Sequence, residues 1–397
     1  MSEAPSGGGT FSLYIHIPFC AGLCDYCDFY SVPVSPEDHR TGPFVEALLI
    51  EAAEALRAYG APQVPTVFIG GGTPSVLGAD RMKRLLAGLR SLLPGKPEEL
   101  TVEANPESAD RDFLDTCREG GVTRISLGVQ TFHEPSRRAL HRVGEGRFLR
   151  ERLHLAAELF GENFSADLIT GLPLQDEKIL RDDLETLLSF RPGHVSLYSL
   201  TVEEGTALAR RPRSFLPPPD KADRLWIRGR DFLEAAGYEQ YEVSNFSLPG
   251  KRCRHNIRYW RMENWLGLGP AASGTLVDDR TGTGRRYTVN PDVDAWLAAH
   301  VSGGADPGGA GLASRTEEYL DRPTLMKESL LMGFRFIDGP DEAAFRRRFG
   351  LSLEDAIPRT LDAWRRRDLM RRDRAALNRA GLLLLHPFLM DAFGEIA

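Results

Sequence analysis

Six short apolar stretches alternate with helical segments across the first half of the chain, and this alternation restricts the fold more than any other feature. The stretches are FSLYIHI (11–17), TVFIG (66–70), LTVEA (100–104), RISLGV (124–129), FSADLIT (164–170) and VSLYSL (195–200). Between them lie segments such as FVEALLIEAAEAL, DRMKRLLAGLRSLL and DDLETLLSF, whose apolar residues recur at helical spacing. Strands that alternate with helices form parallel βα units, so the expected class is α/β. Both an open doubly wound sheet and a curved, barrel-like sheet satisfy the pattern. The polar residues placed at the strand ends favour the curved form.

After Thr206 the texture changes. RRPRSFLPPPDKAD reads as a stiff connector, followed by a helix over 221–236. The expected organisation is a flexible tail over 1–10, a core domain over 11–240, a connecting region over 241–316 and a smaller C-terminal domain over 317–397. The connecting region holds a glycine-rich stretch, VSGGADPGGAGLAS (301–314), which reads as a mobile loop. The C-terminal domain reads as mainly helical and winged-helix-like.

The net charge of −7 argues against a general nucleic-acid binder. The basic run RRRDLMRRDR (365–374) reads as a solvated helix face. MSEAPSGGGT lacks the basic start and apolar core of a signal peptide. No run reaches the roughly 18 apolar residues of a membrane helix. Five cysteines, three of them clustered, do not suggest a disulfide framework, and the cytoplasm is the expected location.

The clustered cysteines are Cys20, Cys24 and Cys27, spaced C-x3-C-x2-C directly after the first expected strand. Clustered thiolates suit zinc or an iron–sulfur cluster. A structural zinc site wants four closed ligands. His16 could supply the fourth, but it lies within the strand while the cysteines occupy a loop. A four-iron cluster fits better, because three cysteines would hold three irons and leave one open. Cys117 and Cys253 carry no expected cluster role.

On these residues the chain resembles the radical S-adenosylmethionine superfamily, whose signature is C-x3-C-x2-C with an aromatic, here Tyr26, before the third cysteine. The resemblance implies a partial (β/α)6 barrel carrying a [4Fe-4S] cluster whose open iron binds the amino and carboxylate groups of S-adenosylmethionine. One-electron reduction then cleaves the sulfonium. LYIHIPFC, GGGTPS, EANPE, RISLGVQTF, DLITGLP and YSLTVEEGT narrow the resemblance to the oxygen-independent coproporphyrinogen III oxidase family. By motif correspondence, Cys20, Cys24 and Cys27 would hold the cluster. Tyr14, Tyr26, Gly71, Gly72, Thr73, Glu103, Gln130, Arg142 and Asp167 would surround S-adenosylmethionine.

Two features depart from the oxidases. They carry a further cysteine where Phe29 stands here, and their longer N-terminal arm helps enclose the substrate. The chain has instead HNIRYW (255–260), similar to the H-N-x-x-Y-W motif of heme chaperones derived from the same family. On a helix, His255 and Tyr259 would share one face and Asn256 and Trp260 the adjacent one. An imidazole can ligate heme iron, and the aromatics offer flat apolar area. On chemistry alone, a packed aromatic helix with a hydrogen-bonded histidine is the competing reading. The glycine- and alanine-rich WLGLGPAASG (265–274) would form a close backbone wall beside a ligand. The resemblance therefore implies a heme chaperone with a heme-accepting protein partner and a flavodoxin- or ferredoxin-type electron donor. Coproporphyrinogen dehydrogenation is the alternative, and Phe29 speaks against it.

Overall fold

Alternation within each apolar stretch sets the architecture. The computed structural model describes residues 9–35, 37–60, 62–142, 144, 146–301 and 314–396. The six stretches form β1 (Ser12–Ile17), β2 (Thr66–Gly71), β3 (Glu99–Ala104), β4 (Arg124–Gln130), β5 (Phe164–Thr170) and β6 (His194–Ser199), within about one residue of the expected bounds. They pair in parallel in that order.

One set of alternate residues is apolar: Leu13, Ile15 and Ile17, then Val67, Ile69, Val102, Ile125, Leu127, Val195 and Leu197. These are buried in one core with Phe44, Leu48, Leu85, Phe113, Leu153 and Leu184 of the crossover helices Thr41–Ala58, Gly78–Leu92, Arg111–Glu119, Gly146–Phe160 and Glu177–Leu188. The other set is mostly polar. Tyr14, His16, Thr101, Glu103, Arg124, Ser126, Ser165, Asp167, His194, Ser196 and Tyr198 line a single cavity. Phe68 of β2 lines it too, and side chains from six consecutive strands can share a cavity only if the sheet curves around it. The sheet is therefore a partial barrel with helices outside and a polar lumen.

Aspartates fix the starts of two crossover helices. Asp110 accepts from the Phe113 amide and Asp176 from the Ile179 amide, satisfying first-turn N–H groups that have no partner within the helix.

The region read as a connector extends the sheet at both edges. It contributes β8 (Asn245–Ser247), β9 (Trp265–Leu268), β10 (Ser273–Asp278) and β11 (Thr283–Val289); β7 (Glu239–Gln240) lies just before it and β12 (Arg315–Leu320) starts at its end. Strand β9 runs parallel to β1, and β10, β11 and β12 add to it antiparallel. On the far edge β8 pairs antiparallel with β6, and β7 with β8. Most of the glycine-rich stretch and of the N-terminal tail lies outside the described residues.

The C-terminal helices Arg322–Arg335, Glu342–Phe349, Pro358–Arg366 and Leu385–Phe393 enclose a second core around Phe334, Phe345, Phe349, Trp364 and Phe388. A bridge between Met370 and Leu377 closes a short wing-like turn. Within the basic run, Arg365, Arg366 and Arg374 are paired with Glu354, Asp362 and Asp338. Among the described residues no helix is long and apolar enough to cross a membrane.

Candidate functional site

The three clustered cysteines occupy the loop that leaves the C-terminal end of β1. Their thiols share a cavity of about 490 Å³ with Tyr26, Gly71, Gly72, Thr73, Glu103, Asn105, Gln130, Arg142 and Asp167. All but one of the residues expected around the cofactor are thus gathered in one space. Tyr14 is the exception; it lines the adjoining lumen, where its ring lies beside Phe68.

The glycines of GGGTPS answer to contact. Gly71 has φ +108°, and a Cβ there would stand 2.5 Å from His16 Nδ1. A Cβ on Gly72 would come within 2.7 Å of the Phe19 carbonyl oxygen and 3.1 Å of Cys20 Sγ. Thr73 Oγ1 lies 3.4 Å from Cys20 Sγ and accepts from Asn105 Nδ2 at 3.1 Å. Asn105 Oδ1 in turn accepts from Arg142 at 2.8 Å, and Arg142 also donates to the Gly128 carbonyl at 2.6 Å and to Cys24 Sγ at 3.5 Å. Asn105 was not singled out from sequence, although it sits in the quoted EANPE.

The electrostatics of this cavity are unbalanced. Burial, with the neighbouring Asp167 charge second, pushes the Glu103 carboxyl up to about 8, although it accepts from the Gly71 amide at 3.2 Å. Burial pushes Asp167 up to about 6. Burial also raises the Cys20 and Cys27 thiols. Arg142 is held protonated against its own burial by Tyr26, Cys24 and Glu107. Gln130 ends β4 at a register shift with φ +68°, and its buried Oε1 has no hydrogen-bond partner. A non-glycine residue in that conformation costs free energy, and here it aims an unpaired acceptor into the cavity.

His16 is not available as a fourth ligand beside the thiols. Its Nδ1 lies 2.9 Å from the Tyr14 hydroxyl and its Nε2 2.9 Å from the Tyr30 carbonyl. Among the described residues no three His, Cys, Asp or Glu side chains are gathered as a set for a single metal ion. Cys117 is packed in the core, and Cys253 points its thiol to Glu99 at 3.4 Å.

HNIRYW forms a short helix, Arg254–Trp260, at the opposite end of the barrel, where the strands begin. His255 and Tyr259 do share a face, with ring centroids 4.6 Å apart. His255 is 1% exposed and stacks on Phe68. Its Nδ1 lies 3.0 Å from Thr66 Oγ1, and the Thr66 hydroxyl donates to Ser12. Thr66 therefore accepts the Nδ1 proton, which leaves the Nε2 lone pair free. That Nε2 is buried without a partner. Burial, with Arg258 beside it, lowers the imidazole to about 3, so it is neutral.

Asn256 and Tyr259 open into the lumen, while Trp260 turns away and lies under the Arg335 guanidinium of the C-terminal domain, 4.7 Å from ring centre to carbon. Asn256 and Trp260 thus do not act as a pair. The lumen measures about 500 Å³ and shares Gly71, Glu103, Ser126, Asp167 and Tyr198 with the cysteine cavity, so the two ends of the barrel communicate.

The expected ligand wall over 265–274 is mainly a packing device. A Cβ on Gly267 would meet the Ser273 carbonyl oxygen at 2.2 Å, and one on Gly269 the His16 carbonyl oxygen at 2.5 Å. Only Trp265, Ala271 and Ser273 of this stretch reach the lumen.

With this geometry in place, comparison with known proteins is decisive. The family model described as the Radical SAM superfamily matches residues 14–187. The heme chaperone HemW of Bacillus subtilis (strain 168) is 32% identical over 394 residues, covering 97% of this chain and 100% of that one. The chain belongs to the HemW family of radical SAM proteins. HemW of Escherichia coli (strain K12) is 39% identical over 267 residues, covering 67% of this chain and 70% of that one. Among solved structures, the coproporphyrinogen III oxidase HemN of Escherichia coli superposes with a TM-score of 0.80, at 22% identity over 97% of this chain and 90% of that one. That likeness shows the shared fold.

The superfamily carries a [4Fe-4S] cluster and S-adenosylmethionine, and the residues present fit both. Three soft thiol donors line a cavity much larger than a single ion requires. Two carboxyls without an ion pair among the described residues, an unpaired amide oxygen and a buried guanidinium suit a zwitterionic, cationic cofactor.

Proposed function

We propose that the protein is a heme chaperone, binding one heme and passing it to an acceptor protein. The observation that carries this reading is the His255 imidazole: neutral, held in one tautomer by Thr66, with Nε2 unpartnered. The family supports it, since the relatives matched over most of their length are named heme chaperones. Phe29 beside the cluster loop, where the oxidases have a cysteine, weighs against coproporphyrinogen chemistry.

In this reading Cys20, Cys24 and Cys27 hold the cluster. Glu103 and Asp167 take the cationic end of S-adenosylmethionine, and Arg142 and Gln130 its carboxylate and hydroxyls. Gly71, Gly72 and Thr73 give its backbone-hugging wall, with Tyr26 and Tyr14 flanking. Bound there, S-adenosylmethionine and a reducible cluster supply one-electron chemistry; the surrounding residues orient and shield them. A flavodoxin- or ferredoxin-type protein would deliver the electron, in the cytoplasm. His255 would ligate the heme iron, with Asn256 and Tyr259 beside the porphyrin and Trp260 anchoring the helix under Arg335. Because the His255 ring is packed against Phe68 and Tyr259 in this conformation, heme binding requires those rings to draw back from Nε2.

The test is a heme titration of the cluster-loaded protein, run beside a coproporphyrinogen III turnover assay. About one heme per chain with a Soret shift lost in His255→Ala is expected. Protoporphyrinogen IX formed over many turnovers would promote the oxidase reading instead.

A further inference from the structure

The HNIRYW helix does not hold itself in place. Its N-cap position, Cys253, offers no side-chain hydrogen bond to the first turn. The cap comes instead from Glu99, the first residue of β3, more than 150 positions away in sequence. Glu99 Oε1 accepts from the His255 amide at 2.9 Å and from the Cys253 thiol at 3.4 Å, and Oε2 accepts from the Arg254 amide at 3.0 Å. A carboxylate here satisfies first-turn N–H groups that the helix cannot satisfy itself, and it faces the positive end of the peptide dipoles.

Arg124, the first residue of β4, completes the arrangement from the other side. Its Nη2 donates to the carbonyls of Lys251 and Arg252 at 2.7 and 3.2 Å, and its Nε lies 3.5 Å from Glu99 Oε2. Glu99 and Arg124 are 5% and 7% exposed. Between them the pair grips the segment Lys251 to His255 by charge-assisted bonds, through the backbone at Lys251, Arg252, Arg254 and His255 and through the thiol at Cys253. Such bonds are roughly twice as strong as neutral ones. Placing two opposite charges at the floor of a barrel carries a desolvation cost, and helix formation alone does not require it.

We propose that Glu99 and Arg124 are positioning residues for the heme ligand, acting through the backbone that carries His255. This rests on the reading of His255 as the ligand. The clamp fixes the helix start, Thr66 fixes the ring's tautomer, and together they define where Nε2 points. Neither residue touches the heme.

The test uses the full-length, cluster-loaded protein with heme as the probe. Glu99→Gln and Arg124→Gln are titrated beside wild type and His255→Ala. Iron and sulfide content and the effect of S-adenosylmethionine on the reduced cluster's spectrum serve as the check on folding. Outer partners of metal ligands typically contribute about ten- to a hundredfold in affinity. Each clamp variant is expected to weaken heme binding by about that factor, to shift the Soret and low-spin resonance features toward those of His255→Ala, and to leave cluster and cofactor response intact. Combining Glu99→Gln with His255→Ala should cost no more than His255→Ala alone. Heme affinity and spectra unchanged in both clamp variants, while His255→Ala is impaired, would overturn the inference and leave the chaperone reading standing. Heme binding indifferent to His255→Ala would overturn the inference together with the ligand role of His255.

Discussion

The guanidinium of Arg142 donates to the Cys24 thiol at 3.5 Å, so a buried cation rests against the middle cysteine of the loop. The same side chain reaches Asn105 and the Gly128 carbonyl, which ties the cluster loop to the ends of β3 and β4. Replacing Arg142 by Gln removes the charge and the fork. The expected result is a protein that still assembles its cluster but binds S-adenosylmethionine at least about tenfold more weakly, because a charge-assisted contact is lost in a buried site. Electron paramagnetic resonance of the reduced cluster with graded cofactor measures it; an unchanged titration would remove Arg142 from the site.

The cysteines themselves make a sharper prediction. Three thiols lining one cavity should hold about four irons and four sulfides per chain after anaerobic reconstitution. Cys20→Ala, Cys24→Ala and Cys27→Ala should each abolish the cluster, whereas Cys117→Ala and Cys253→Ala should not. Stoichiometric zinc without sulfide would contradict the assignment.

Much of this site was legible because strand periodicity and motif spacing are local. Polar residues at every second position of ELTVEA, RISLGVQ and HVSLYS announce a lumen, since strands of a parallel sheet covered by helices on both faces run apolar throughout. The cysteine spacing and strand-end Glu103 and Asp167 follow the same logic. What stayed hidden depends on distant contacts. Nothing near Thr66 or Glu99 in the chain indicates that they hold His255, because their partners lie 189 and 156 residues away. The strands within 241–316 stayed hidden for a related reason. A four-residue strand such as β9 carries too little pattern to declare that it pairs with β1.

Thr66 makes a direct test of the tautomer. Thr66→Val keeps the shape but removes the oxygen that accepts the Nδ1 proton. The imidazole then loses its orientation, and heme affinity should fall by about tenfold, as for other outer partners of a metal ligand. Thr66→Ser should restore it. Equal affinity in Thr66→Val and wild type would show that the ring is oriented by its packing on Phe68 alone.

The last prediction concerns pH. Burial lifts Glu103 to about 8 in the folded protein, against roughly 4.3 for an unfolded glutamate. Between those values the folded state holds a proton that the unfolded chain has released. Stability from this group is therefore fully present below about pH 4.3 and is lost as pH rises toward 8, at up to about 1.4 kcal/mol per unit. Glu103→Gln has no proton to lose and should not show this decline. The comparison must be a difference between the two proteins. The buried His194 and His255, both shifted downward, act in the opposite sense and destabilise the fold as pH falls below about 6.5. In urea titrations without S-adenosylmethionine, the variant should gain on wild type steadily from pH 5 to pH 8, by a total on the order of a few kcal/mol. Saturating S-adenosylmethionine should shrink the gap, because its ammonium would stabilise the ionised Glu103 that burial disfavours. A gap independent of pH would mean that Glu103 is already ionised in the folded protein, its charge stabilised by the Gly71 amide and by water.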